Sequence, residues 1–178
     1  MVRCFIGVFL PNSLKPRVLE LQNIIKTLDL DCKFVETENL HLTLSFLGKV
    51  DELEIQSIKD KLDGISGHFQ KFNISIGGVN LVPSKKYVRV IALGIIDPSG
   101  MMAKISSEIK HVIGGDVKPP HLTLCRVRKV MKFSELDKLL NVDSYCGEME
   151  LSPIQLIESK LSRSGPVYSV LHESRLCN

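Results

Sequence analysis

An α+β fold built on antiparallel pairing follows from three features of the sequence. Segments rich in β-branched residues outnumber helical ones, several are joined by short turns, and one tetrapeptide recurs eighty residues after its first copy. Arg3–Leu10 reads as a first strand, followed by Pro11-Asn12-Ser13, where Asn12 or Ser13 is placed to cap a helix. That helix carries Leu14, Val18, Leu21, Ile24, Ile25 and Leu28 at a spacing of three to four. A short strand near Lys33–Val35 and a longer one, Leu40–Leu47, come next, and Asp51 opens a second helix carrying Leu53, Ile55, Ile58 and Leu62.

Beyond Gly64, Phe69–Leu81 and Tyr87–Ile96 form a predicted hairpin turning at Pro83-Ser84-Lys85-Lys86. A third helix spans about Met101–Val112 and stops at Gly114-Gly115. A strand starts after Pro119-Pro120, and Ser134 caps a short helix ending near Leu140. Two closing strands, about Met149–Arg163 and Tyr168–Ser174, turn at Ser164-Gly165-Pro166. In each half a β segment precedes a helix and the repeated tetrapeptide follows it, which suggests a duplicated lobe.

Bulk properties set outer limits. The 178 residues suffice for one substantial core or two small lobes sharing one, and 44% apolar with 24% charged residues is the balance of a globular chain. No apolar run reaches the roughly 20 residues of a membrane-spanning helix, so no membrane partner is expected. The opening MVRCFIGVFLPNS lacks a small-residue cleavage site, and Val2, Phe5, Ile6, Val8 and Phe9 read as a buried strand rather than a signal peptide. Five cysteines, odd in number and without C-x-x-C spacing, argue for a reducing, cytoplasmic setting over a disulfide framework or zinc site. The net charge of +3 permits an anionic partner without pointing to one.

The repeat carries the chemistry. His41-Leu42-Thr43-Leu44 returns as His121-Leu122-Thr123-Leu124. Strand alternation puts His41, Thr43 and Ser45 on one face and Leu42, Leu44 and Phe46 on the other; likewise His121, Thr123 and Cys125 oppose Leu122 and Leu124. The leucine face is the natural core face, so the His/Thr face looks into water or a cleft, where imidazole and hydroxyl groups stay solvated. Two such strands facing one another bring two imidazoles and two hydroxyls together. With an ordinary pKa of about 6.5, one imidazole can accept a proton while the other donates one. Threonine hydroxyls can hold non-bridging phosphate oxygens. Two histidines are too few for a zinc site, and no metal or other cofactor is expected.

At these residues the sequence resembles the 2H phosphoesterase superfamily, most closely its RNA 2′,3′-cyclic phosphodiesterase branch, also called 2′-5′ RNA ligases. CFIGVFLP is similar to that family's first strand, ENLHLTLSFLG to its first motif and YVRVIALGI to its middle strand. KPPHLTLCR resembles the second motif, and LIESKLSRSGPVYSVLHESRL the closing hairpin. The resemblance implies one bilobal domain over residues 1–178, with two pseudo-symmetric lobes each carrying one His-x-Thr motif. Each lobe is an antiparallel sheet with helices outside, and the motifs line a central cleft. It implies metal-independent opening of RNA 2′,3′-cyclic phosphate ends to 2′-phosphates. His41 is then the proton donor to O3′ and His121 the proton acceptor from water, roles to which the symmetric sequence itself is indifferent. Thr43 and Thr123 hold phosphate oxygens, Arg126 is matched to a phosphate-binding arginine and Phe46 to an aromatic contact for the terminal base. Arg126 and Phe46 lie five residues past their histidines, on the wrong face for ideal alternation, so a bulge or the strand's end must re-aim them; a core phenylalanine is the plainer reading of Phe46.

The implied partner is RNA with a cyclic phosphate end, tRNA fragments included, and the chain is expected to act as a monomer. Two other readings stand beside hydrolysis: 2′-5′ ligation of RNA (tRNA) halves by reversal of the same displacement, and a non-catalytic RNA-end-binding module. Lys85-Lys86 and the basic run Arg126–Lys132 are read as RNA-facing rims or as ordinary surface charge. His68, His111 and His172 have no matching partner, and Tyr168 and Ser162 fall on the closing hairpin without an assigned role.

Overall fold

Cleft and core are separated by the way two groups of strands are laid side by side. The computed structural model describes residues 1–130, 132, 134–163 and 165–178; Ser164 of the expected closing turn and Met131 within the basic run lie outside the described residues. Its strands are β1 (Val2–Phe9), β2 (Leu30–Phe34), β3 (His41–Val50), β4 (Asn73–Ser84), β5 (Tyr87–Ile96), β6 (His121–Val130), β7 (Gly147–Glu150), β8 (Ile154–Leu161) and β9 (Pro166–Ser174). The helices are α1 (Lys15–Lys26), α2 (Ile55–Ser66), α3 (Met101–Val112) and α4 (Ser134–Leu140).

Every strand pairing is antiparallel, in the order β7-β4-β5-β6-β3-β1-β8-β9, with β2 also on β6. The two expected sheets are joined as the two halves of one nine-stranded sheet. They meet at a single pair, Leu42 of β3 opposite Leu122 of β6. From Cys125 onward the same edge of β6 is taken by β2 instead. On the other side Phe46 of β3 exchanges backbone bonds with Asp116. β3 and β6 therefore diverge directly beside the two histidines.

The helices cover the opposite faces, and they do so crosswise. α1 packs on β2 and β6, whereas α3 packs on β3 and α2. The helix that precedes each motif in the chain thus supports the other motif's strand. Their inward residues (Val18, Leu21 and Ile25 from α1; Met102, Ile105 and Ile109 from α3) join Leu42, Leu44, Leu122 and Leu124 in one continuous core. Burial of these aliphatic side chains, each contributing roughly 1.5–3 kcal/mol, is what fixes the leucine face inward.

Three local expectations are revised. Neither Asn12 nor Ser13 caps α1: Leu14 is the N-cap, without a side-chain bond, and Pro16 in the first turn pre-sets the helical φ instead. Asp51 does cap, accepting from the Leu53 amide, but it opens a 3-10 turn over Glu52–Glu54 that leads into α2. The long strand expected from Met149 to Arg163 is two strands in different halves, β7 on β4 and β8 on β1. Pro153, which has no N–H to give a ladder, falls in the break.

Candidate active site

Both motif strands break their alternation at the same place. Along β3, His41 and Thr43 are half-exposed, Leu42 and Leu44 buried, but Ser45 is buried too and Phe46 is exposed. β6 repeats the pattern, with Cys125 buried and Arg126 exposed. The register explains it. Ile6 pairs with Ser45 and Gly7 with Thr43, so Leu44 is an extra residue; Ile91 pairs with Cys125 and Ala92 with Thr123, so Leu124 is its counterpart. Each is a β-bulge, and each turns the residue two places later back toward the histidine face. Phe46 and Arg126 both line the cleft with His41, Thr43, His121 and Thr123.

The same bulges correct one expectation. Ser45 and Cys125 do not share the histidine face; both are turned into the interior with no exposed surface. Ser45 Oγ donates to the Gly114 carbonyl at 3.1 Å. The Cys125 thiol donates to Cys32 on β2, which together with burial raises its pKa far above the usual thiol range. Cys125 is a packing residue, unreactive in this protonated state.

The two imidazoles are anchored alike. His41 Nδ1 lies 2.6 Å from the Asn39 carbonyl oxygen, and His121 Nδ1 lies 2.9 Å from that of Pro119. A carbonyl oxygen can only accept, so Nδ1 carries the proton in both rings and Nε2 is left for the cleft. The anchors differ in burial, Pro119 being exposed. Asn39 is itself buried, its side-chain amide donating to the Pro166 carbonyl at 2.9 Å at the start of β9.

Their surroundings differ more. The His41 ring is boxed by Phe5 (centroids 4.8 Å apart), Phe9 (6.3 Å) and Tyr168 (5.1 Å, nearly perpendicular). Loss of hydration in this aromatic box lowers the His41 pKa; the bond to Asn39 opposes the shift, and the positive charges of Arg126 and His121 reinforce it. The box therefore biases His41 toward the neutral form. Burial likewise raises the Tyr168 phenol, keeping it protonated, against the pull of Arg126 and Arg3. Arg126 acts electrostatically on the His41 and Tyr168 rings and so faces the site from β6.

The cleft holds about 770 Å³. Arg3, Lys33, Lys118 and Arg126 line it against one acid, Glu36, with Lys118 engaged by Asp116 at 2.9 Å. That balance suits an anion. Among the described residues, no group of three or more His, Cys, Asp or Glu is arranged to hold a metal. Sequence reasoning left Tyr168 undecided and missed Phe5 and Phe9 as the walls of the His41 box. Their aromatic character was visible, but only the β1–β3 and β1–β8–β9 pairings show which ring they meet. His172 is structural: its Nε2 lies 2.7 Å from Asp63 of α2.

This architecture recurs in solved structures. A protein of Thermus thermophilus superposes with a TM-score of 0.81 at 23% identity, over 98% of this chain and 97% of its own. Escherichia coli LigT complexed with 3′-AMP superposes with a TM-score of 0.81 at 19% identity, over 99% of each chain. The fold is therefore that of the LigT-type phosphoesterases. Sequence makes the relation narrower. Residues 8–92 match the family model described as LigT like Phosphoesterase. The RNA 2′,3′-cyclic phosphodiesterase of Methanothermobacter thermautotrophicus is 34% identical over 98% of this chain and 99% of its own length. That of Aeropyrum pernix is 32% identical over 88% and 93%. The chain belongs to the LigT-like phosphoesterase family.

Proposed function

We propose that the protein hydrolyses RNA 2′,3′-cyclic phosphate ends to 2′-phosphomonoesters by acid–base catalysis between His41 and His121, without a metal. The observation that carries this reading is the matched anchoring of the two imidazoles. Both Nδ1 atoms are committed to carbonyls two residues back, and both Nε2 atoms are left for a cationic cleft that also receives Thr43, Thr123 and Arg126. His121 Nε2 takes a proton from water as its oxygen attacks phosphorus. The P–O3′ bond breaks, and His41 Nε2, protonated in the complex, gives its proton to the departing O3′. The ring opens to a 2′-phosphate and a free 3′-hydroxyl. The threonine hydroxyls and Arg126 hold the non-bridging oxygens as their charge grows. His41 must be cationic for this step, and the anionic substrate supplies the charge that offsets its desolvation. Phe46 offers its exposed ring to the terminal base.

Both histidines come from one chain, which supports a single domain of two pseudo-symmetric lobes acting as a monomer on RNA fragments, those of tRNA among them. The five free thiols fit a reducing, cytoplasmic setting. No helix of the described residues is long and apolar enough to cross a membrane.

A short RNA with a 2′,3′-cyclic end, incubated with the protein and a metal chelator, tests the proposal. The expected product is the 2′-phosphate. A strict metal requirement, or binding without turnover, overturns it.

A further inference from the structure

The face that carries His121 continues well beyond it. Along β6, the bulge at Leu124 makes Arg126 and Arg128 the next positions on the cleft side, while Val127 between them packs on the core. Lys33 of β2 stands opposite Arg126 on one side, and Val90 of β5 on the other. Farther out on β5, Tyr87 and Arg89 flank the buried Val88, which places both away from the core. The Arg89 guanidinium lies over the Tyr87 ring, 4.9 Å from its centre, and the tyrosine remains 58% exposed. Arg128 is held loosely, 3.8 Å from Asp31.

The other half-sheet offers a different surface to the cleft. There Phe46 is 45% and Leu161 79% exposed, and Arg3 is the cation. Three of the four cations that line the cleft, Lys33, Lys118 and Arg126, thus stand on the His121 side, among apolar groups such as Val82 and Val90. At ~3.3 Å per residue, His121 to Arg128 spans roughly 20 Å, longer than one nucleotide requires.

We infer that this strip, Arg128 with the Tyr87–Arg89 pair beyond Arg126 and Lys33, carries the single-stranded RNA chain on the 5′ side of the cyclic phosphate. Arg128 takes a backbone phosphate of a preceding nucleotide, and the Tyr87–Arg89 pair takes a phosphate and the face of a base. The inference rests on the proposed function, since it needs an RNA end at the histidines. It assigns this protein a preference for polynucleotide over mononucleotide cyclic phosphates, located in residues that do not touch the reacting atoms.

The test compares R89A/R128A and Tyr87→Ser with the unaltered protein on two substrates, a single-stranded octanucleotide with a 2′,3′-cyclic end and a 2′,3′-cyclic mononucleotide. Lys104→Ala/Lys110→Ala, which removes two exposed charges from α3, controls for net charge. The expected result is a loss of about ten-fold or more in kcat/KM on the octanucleotide for R89A/R128A, with the mononucleotide and the control unaffected. The salt dependence on the octanucleotide should become shallower by about 1.4 in log–log slope for two lost phosphate contacts on a single strand. Equal losses on both substrates, no loss on the octanucleotide, or the same loss in the control would overturn the inference. Binding of a 2′-phosphate-ended octanucleotide is measured in parallel by fluorescence anisotropy. If the unaltered protein turned over neither substrate, the proposed function would fall, and weaker binding by R89A/R128A alone would still decide for the strip.

Discussion

Gln22 is the residue through which the bulge on β6 is most open to attack from outside the cleft. It is only 3% exposed, on α1, and its side-chain amide donates to two backbone carbonyls, those of Val35 and Leu124, each at 2.9 Å. Leu124 is the bulged residue, two places before Arg126. Replacing Gln22 with leucine keeps the volume and removes both donors. The Leu124 oxygen keeps the Val35 amide at 3.0 Å, while the Val35 oxygen loses its side-chain donor. With a net value of about 1 kcal/mol per hydrogen bond, and more where a buried acceptor is stranded, Gln22→Leu should cost about 2–3 kcal/mol. For a chain of this size that lowers the melting temperature by roughly 4–12 °C. Urea denaturation with an unchanged slope would report the same loss as a lower midpoint. Because the bulge aims Arg126, kcat/KM on a cyclic-ended RNA should fall on the order of ten-fold as well. A Gln22→Leu protein with an unaltered midpoint would refute the claim that this amide holds the bulge.

Four further outcomes are expected. His41→Ala and His121→Ala should each lose several orders of magnitude in turnover with little change in melting temperature; near-full activity in either would end the acid–base assignment. The pH–rate profile should be bell-shaped, and inorganic phosphate should move the NMR titration midpoint of His41 upward, against the lowering caused by its aromatic box. Because the folded His41 pKa is depressed, its contribution to stability is present above the ordinary value of about 6.5 and is lost as pH falls toward and through the folded value, a trend that His41→Phe should weaken in denaturation curves. Gly7→Ala would place a methyl carbon 2.4 Å from the Leu42 carbonyl oxygen, forcing β1 away from β3 beside His41. A loss of about 1–3 kcal/mol is expected, and a neutral variant would contradict the close approach.

Most of the fold could be read before any coordinates, because it rests on local signals. The period of α1, α2 and α3 and the leucine face of the motifs all depend on spacing alone. The identities of His41, Thr43, His121 and Thr123 also lay in plain view in the repeated tetrapeptide. What alternation misjudged was the face of Ser45 and Cys125. A bulge has no residue signature in LTLSF or LTLCR; it arises where β1 and β5 set a register that a regular ladder does not satisfy. The aromatic box around His41 was hidden for a related reason. Phe5, Phe9 and Tyr168 come from strands at opposite ends of the chain, and only the β1–β8–β9 pairing brings them together. Asymmetry between the two imidazoles is thus a tertiary property laid over a symmetric motif.

The crossed packing of the helices governs the order in which this molecule can be made. As the chain emerges from synthesis, α1 is complete early, yet its inner face waits for β6, with Gln22 and Leu124 separated by 102 positions. β1 waits longer still for β8, and His41 remains without the Tyr168 wall of its box until the last strand arrives. Early contacts therefore cannot finish either half, and loop closure over such distances makes folding slow. Without β9, His41 lacks both its Tyr168 wall and the Pro166 carbonyl that holds Asn39, so the last strand completes the surroundings of one histidine and not the other.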